Sequence, residues 1–414
     1  MRALSEAGFD VTGMGRDEVM ARQVLPQAKW LIRDLAKIST DEWRTILTGV
    51  DVVVNAAGAL QDGARDDLSA IHETMVERLV VALEGRSTRL VQISAAGVSE
   101  DASTEFFRSK ARGDATIRRS GAHWVILRPA LVIGPAAYGG TALIRAAAAL
   151  PVLALDILPE ASIRTVFTDD LAQAVVLAAK GVIPSGTVAD LAEAAARSLP
   201  DTICAFRRWQ GFPEPWLRAK VPPVVLWAIS RVADALGHLG WRSPLRSNAV
   251  RVLKDGIHGD PAAWKAVGGN RIRSLEEGLA AMPATLQERW FARLYLAFPV
   301  VIALLSVFWL CSGLIALAYF EAARDVLTMH GMDGALAGLV VAGGALADIF
   351  LGAAILWRPW TRHASLGMIL LSLAYLVGGT LMAPDLWADP VGPFVKILPG
   401  MGLAIVSLAM ASER

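Results

Sequence analysis

The chain has 414 residues, 54% of them hydrophobic, with 40 lysines and arginines against 39 aspartates and glutamates, a formal net charge of +1. That length calls for two or more domains, and the balanced charge argues against a nucleic-acid partner. The apolar excess is high for a wholly water-soluble protein. The two cysteines, Cys204 and Cys311, cannot staple a disulfide framework, so a reducing compartment is expected for the soluble part.

Residues 2–8 read as the end of a helix closed by a glycine, and residues 9–13 as a strand. Residues 1–11 lack the apolar core of a signal peptide. A dinucleotide fold opens instead with a strand, a Gly-rich turn and then a helix. In that order the first strand and its G-x-x-G-x-x-G turn are missing: either the chain lacks its phosphate cradle, or Met1 is an internal methionine of a longer protein, and the second reading is favoured. Losing a central strand of a parallel sheet would leave its neighbours unpaired.

Further strands are expected at residues 30–32, 50–55, 89–94 and 123–127. Helices are expected at 41–47 behind a Thr40 cap, at 68–83, at 105–119, at 141–149, and at 171–179 with Asp170 as the N-cap. Such alternation predicts an α/β fold with a doubly wound, parallel, Rossmann-like sheet.

Within it, residues 50–60 read V-D-V-V-V-N-A-A-G-A-L. Asn55, Ala56, Ala57 and Gly58 would place small residues where a nucleotide approaches the backbone. Asp34 and Leu35 follow an earlier strand, where a carboxylate can accept from an adenine amino group. Arg16 follows the strand at 9–13. An acid there would hold a ribose 2′-hydroxyl, whereas a cation suits a 2′-phosphate, which tilts the choice from NAD towards NADP.

Five segments carry a resemblance to the extended and atypical short-chain dehydrogenase/reductase superfamily: 52–60, 90–100 (L-V-Q-I-S-A-A-G-V-S-E), 106–114 (F-F-R-S-K-A-R-G-D), 127–135 (L-R-P-A-L-V-I-G-P) and 166–174 (V-F-T-D-D-L-A-Q-A). The resemblance implies a nicotinamide cofactor, with Pro129, Ala130 and Val132 lining its nicotinamide side. The family's catalytic pattern is a Ser with Tyr-x-x-x-Lys. The Tyr hydroxyl exchanges a proton with the substrate, and the Lys lowers its pKa and holds the cofactor ribose. Here Lys110 matches, but Phe106 stands in the tyrosine's place. Ser94 stands at the strand end and is followed by Ala95. Ser94 and Lys110 are therefore the candidate catalytic residues of a set without its proton donor. The resemblance points to the atypical branch containing the accessory NAD(P)H-binding subunit of respiratory complex I, which binds nucleotide without obvious turnover.

From residue 183 to about 290 the pattern changes to Trp- and Pro-rich sequence with an amphipathic stretch at 224–239. It reads as a cap or linker near the membrane. Its tryptophans suit either core packing or, for Trp227, Trp241 and Trp290, anchoring between headgroups and hydrocarbon.

Four apolar stretches follow, at 295–320, 335–357, 364–383 and 391–411. About 20 apolar residues span a bilayer, so an all-α four-helix transmembrane bundle is expected. The expected domains are 1–182, a reductase-like nucleotide domain; 183–290, a cap or linker; and 291–414, the bundle. Residues 343–352 (G-G-A-L-A-D-I-F-L-G) and 386–399 (L-W-A-D-P-V-G-P-F-V-K-I-L-P) resemble the DoxX-like family of small membrane domains, whose relatives are linked to quinone-connected redox processes. Residues 241–246 (W-R-S-P-L-R) and 283–295 extend that likeness to proteins fusing a reductase-like domain to the bundle.

Asp348 falls inside the second stretch, where a bare carboxylate is costly, and Lys396 is the cation available to pair with it. Arginines 289, 293, 358, 362 and 414 against Arg324 alone predict cytoplasmic termini and soluble domain by the positive-inside rule, in a bacterial-type inner membrane. No metal site is expected. The expected partners are the lipid bilayer, a lipid or quinone substrate, and a membrane redox complex. Two functions stay open: an oxidoreductase acting on a lipid or quinone, or a nucleotide-binding sensor or assembly factor without turnover.

Overall fold

Residues 1–59, 67–241, 243–390 and 392–411 are described by the computed structural model. Leu60, Arg242, Val391 and Arg414, which entered the expectations above, lie outside them. The chain divides into two units, Met1–Ser230 with Pro244–Arg289, and Arg231–Ser243 with Trp290–Arg414.

The first unit is Rossmann-like. Its strands are β1 (Thr12–Gly15), β2 (Lys29–Ile32), β3 (Val52–Asn55), β4 (Arg89–Ile93) and β5 (His123–Pro129). Parallel pairing joins β3 to β4, β4 to β5, and β5 to a further strand, Thr187–Leu191. β1 and β2 form a separate parallel pair. Among the described residues, no strand bridges β1 to β3. The two pieces share a core nonetheless: Met14 of β1 and Val53 of β3 pack with Leu79, Leu83 and Leu90. Trp30 closes over β1, where a Cβ on Gly13 would lie 2.6 Å from its ring.

Two expected caps differ. The helix Thr40–Ile46 is capped by Ser39, not Thr40; Ser39 accepts from the Glu42 N–H while Glu42 accepts from the Ser39 N–H, a capping box. Asp170 is no N-cap either. Its helix, Thr168–Ala179, starts two residues earlier, so Asp170 sits in the first turn. Its buried carboxylate accepts from the backbone N–H of Arg273 at 3.1 Å and from its guanidinium at 2.9 Å.

The expected helix at 68–83 contains a wide turn, Ala70–Thr74, before Met75–Leu83. Against that turn the helix Glu105–Arg119 approaches so closely that a Cβ on Gly113 would overlap the His72 carbonyl oxygen. Shorter parallel pairs that periodicity did not reveal join Leu131–Ile133 to Thr165–Phe167 and Leu153–Asp156 to Leu217–Lys220. The tryptophans divide: Trp264 is buried and donates to the Asn270 carbonyl, whereas Trp216, Trp227 and Trp290 are exposed.

The second unit holds four helices long and apolar enough to cross a membrane: Leu286–Ala318, whose first turns fall in the other unit, Gly334–Ala354, Arg358–Met382 and Pro393–Ala411. Their outward faces are bare leucine and valine, as lipid contact requires. Inward they meet through small residues and hydroxyls. Ser306 donates to the Gly352 carbonyl at 2.8 Å, and Ser365 and Ser407 bond at 2.9 Å. Asp348 is buried, but Lys396 is not its partner. Asp348 accepts instead from Ser312 Oγ at 2.6 Å and Tyr375 Oη at 2.9 Å, while Lys396 is exposed and forms no ion pair with it. Two neutral hydroxyls satisfy the carboxylate without burying a second charge.

Candidate nucleotide site

Ligands of open α/β sheets bind beyond the carboxyl ends of the strands. At the end of β3, Asn55 turns the chain: its amide donates to Gln92 Oε1 at 2.8 Å, and its oxygen accepts from the Ala57 N–H at 3.1 Å. This leaves Ala56 and Gly58 exposed beyond the strand. Lys110 comes in from the helix Glu105–Arg119. Its buried ammonium donates to the Ile93 carbonyl at 3.2 Å, at the end of β4, and stands 5.8 Å from the centre of the Phe106 ring. A Cβ on Gly58 would lie 3.6 Å from that ammonium and 3.4 Å from His72 Nε2. Gly58 and Lys110 thus share one corner.

His72 is locked beside them. Its Nε2 accepts from the Ala59 N–H at 3.2 Å, so Nδ1 carries the proton and donates to Ser109 Oγ at 2.8 Å. Ser109 donates onward to the Phe106 carbonyl at 3.2 Å. Burial, helped by the charge of Lys110, pushes the imidazole down to about 4, and it is neutral at physiological pH. Both ring nitrogens are committed. Burial also pushes the Lys110 ammonium down to about 8, against the pull of the Asp114 charge.

Ser94 does not join this corner as a reactive hydroxyl. Its Oγ donates to Asp114 Oδ2 at 2.9 Å, and the same oxygen takes Arg128 Nε and Nη2 at 3.0 and 2.8 Å. Burial raises the Asp114 carboxyl, and Arg128 opposes it. Ser94 therefore ties β4 to the helix and to β5.

Arg16 and Asp34 follow the ends of the paired strands β1 and β2. The Arg33 N–H donates to the Gly15 carbonyl at 2.8 Å, which sets the ends of β1 and β2 side by side. Asp34 caps the short turn Leu35–Lys37, accepting from the Ala36 N–H, and pairs with Lys37 at 3.4 Å. Leu35 packs on the core of Leu79 and Leu83. Pro129 ends β5, its carbonyl accepting from the Ala96 N–H. Ala130 is buried against Ala96 and Ala192, and Val132 is half-buried in the strand that pairs with Thr165–Phe167. Arg145, fully buried, donates to the Gly134 carbonyl at 2.6 Å and pairs with Glu288, which holds the end of the same R-P-A-L-V-I-G-P segment.

Sequence reasoning missed His72, Ser109, Asp114, Gln92 and Arg128. One signal was present: Phe106, Ser109, Lys110, Gly113 and Asp114 follow i, i+3, i+4, i+7, i+8, a single helix face. Nothing in the sequence brings His72 to it.

Residues 1–148 match the NAD(P)H-binding family model, and residues 306–405 match the DoxX-like family. The chain joins an NAD(P)H-binding domain to a DoxX-like domain. The chain is similar in fold to WbmG of Bordetella bronchiseptica, solved with NAD and UDP, at 15% identity over 70% of this chain and 91% of that one, with a TM-score of 0.50. It is also similar to the NADPH-dependent quinone oxidoreductase QOR2 of Escherichia coli, solved with NADPH, at 15% identity over 68% of this chain and 93% of that one, with a TM-score of 0.50. Likeness at that identity speaks for the fold alone. No curated protein matches the chain. Within the NAD(P)H-binding domain, the corner fits a cofactor ribose. The Lys110 ammonium has one protein acceptor among the described residues, the Ile93 carbonyl, and Gly58 offers no Cβ to close the approach. The DoxX-like domain and the four apolar helices mark an integral membrane protein.

Proposed function

We propose that the protein is a membrane-anchored nucleotide-binding factor that holds NAD(P) on the cytoplasmic side without turning over a carbonyl substrate. One observation carries this reading: the group facing Lys110 is the Phe106 ring, not a hydroxyl. A bound NAD(P)H supplies a hydride, but reducing a carbonyl also needs a proton donor at the oxygen. His72 cannot serve, since both its nitrogens are engaged. Ser94 donates to Asp114. In this reading Lys110 binds the ribose hydroxyls, residues 55–58 let the cofactor approach the backbone, and Pro129, Ala130 and Val132 flank the nicotinamide.

A second reading, an oxidoreductase acting on a lipid or quinone that reaches the bundle, draws support from Lys110 itself. An ammonium brought down to about 8 exchanges protons near neutral pH. Titrating NADH and NADPH into the full-length protein in lipid nanodiscs, with and without a short-chain quinone, separates the two. Saturable binding with no cofactor consumption is expected. Sustained quinone-dependent consumption that is lost in Lys110→Ala would establish the second reading.

A further inference from the structure

The helix Pro223–His238 turns one stripe inward: Leu226, Ser230 and Ala233, at i, i+4 and i+7, are buried. The face opposite such a stripe is ordinarily charged or polar. Here, Arg231 and His238 apart, it is apolar and bare. Val224 is 74% exposed, Trp227 65% and Val232 61%, with Val225 and Ile229 beside them. The helix carries only Arg231, Asp234 and His238 as charged or titratable residues, all in its second half.

The level of this helix is set at its C-terminal end. The Leu239 carbonyl accepts from the Arg358 N–H at 2.9 Å. The Trp241 indole donates to the Leu356 carbonyl at 2.6 Å, and the Arg358 guanidinium lies 5.6 Å from the centre of the Trp241 ring. Gly240, at φ +88°, makes the turn; a Cβ there would already touch Arg358 Cβ at 3.4 Å and Pro359 Cδ at 3.5 Å. Residues 356–360 form the turn between the second and third apolar helices. In that turn Trp357 and Trp360 stack at 5.8 Å, both partly exposed. Stacked tryptophans beside an arginine at the end of a span mark the boundary between hydrocarbon and water. Two hydrogen bonds therefore moor the end of the helix at that boundary.

We propose that the helix Pro223–His238 lies in the plane of the bilayer interface, with Val224, Trp227 and Val232 immersed among lipid headgroups and upper acyl chains. Its make-up suits that place: one polar-poor face outward, a tryptophan at its centre, and a length of about 24 Å at 1.5 Å per residue. Lipid is the favoured occupant because headgroups surround the bundle at the level of the mooring turn, and a protein partner there would first have to displace them.

The test uses the full-length protein with Cys204→Ser and Cys311→Ser. A nitroxide is attached at Val232→Cys, at Val224→Cys, or at Arg118→Cys as an exposed control on the helix Glu105–Arg119. Each is reconstituted into phosphatidylcholine/phosphatidylglycerol vesicles. Collisions with oxygen, which concentrates in hydrocarbon, are compared with collisions with a water-soluble nickel chelate. Positions 224 and 232 should favour oxygen several-fold over the control, at a depth of about 5–10 Å. Nickel access equal to that of Arg118→Cys at both positions overturns the proposal. So does protection from both reagents that is relieved by diluting the protein in lipid, since that would mean a second copy covers the face. Two labelled positions keep the test decisive if one variant fails to fold.

Discussion

Gly58 and Lys110 meet at one corner beyond the ends of β3 and β4: a Cβ on the glycine would stand 3.6 Å from the lysine ammonium. That is ordinary contact distance, so Gly58→Ala should fold normally, with stability changed by no more than about 0.5 kcal/mol. The methyl would nevertheless occupy the approach to the backbone. NADPH affinity in the full-length protein should drop by about tenfold, roughly 1.4 kcal/mol. Unchanged affinity in a calorimetric titration would mean the cofactor does not pass this corner.

Affinity should also depend on pH through Lys110. Its folded-state value lies near 8, below the usual 10.5. The ammonium, which in the proposed reading would donate to the ribose, is present below that value and lost above it. Binding should be flat below about pH 7 and weaken by up to about tenfold per unit above about pH 8. In Lys110→Met the affinity should be lower throughout and the pH dependence gone. A wild-type profile that stays level to pH 9.5 would separate Lys110 from the cofactor.

Restoring a hydroxyl at position 106 tests the missing proton donor. Phe106→Tyr keeps the ring that Lys110 faces and adds the group that carbonyl reduction needs. Any residual NADPH-dependent reduction of small ketones should rise, within the roughly 10² to 10⁴ that general acid help supplies. Brisk turnover in the wild type that Phe106→Tyr leaves unchanged would point to another donor.

Cofactor preference should follow Arg16, which stands exposed at the end of β1 beside the end of β2. Arg16→Ala should weaken NADPH binding and leave NADH binding nearly untouched. Equal losses for both would mean that the guanidinium does not read the 2′-phosphate.

In the bundle, Asp348 and Tyr375 should be energetically coupled. Removing the carboxylate strands a buried phenol, so Asp348→Ala and Tyr375→Phe should cost less together than apart. Hydrogen bonds between membrane helices couple by about 0.6 kcal/mol on average and up to about 1.7 kcal/mol. Steric-trapping measurements of unfolding in bicelles would read the value, and additivity would reduce the contact to mere proximity.

What was legible from the sequence was local. The helix Glu105–Arg119 could be placed because its apolar and polar positions alternate within fifteen residues. The four apolar helices declared themselves by length alone. What escaped were partnerships across the chain. Asp170 looked like a cap because Arg273, its partner, is 103 residues away. Lys396 seemed the only answer to Asp348 because periodicity shows charges, not which hydroxyl a neighbouring helix presents. Ser94 reads as a reactive group in the sequence because Asp114, which accepts from it, is 20 residues on. Asn55 and Gly58 were visible as small residues after a buried strand, whereas His72 arrives from a separate helix with no motif to announce it.

The division of the sheet has a kinetic consequence. Among the described residues β3 is hydrogen-bonded to β4 on one side and to no strand on the other. In an unbroken Rossmann-like sheet the corresponding strand is an inner one and its amides open only with the whole domain. Here its outer row of N–H and C=O groups has no ladder, so it opens by local fraying, the low-energy motion of sheet edges. A ligand gripping residues 55–58, as proposed above, would tie that edge strand down and slow its fraying.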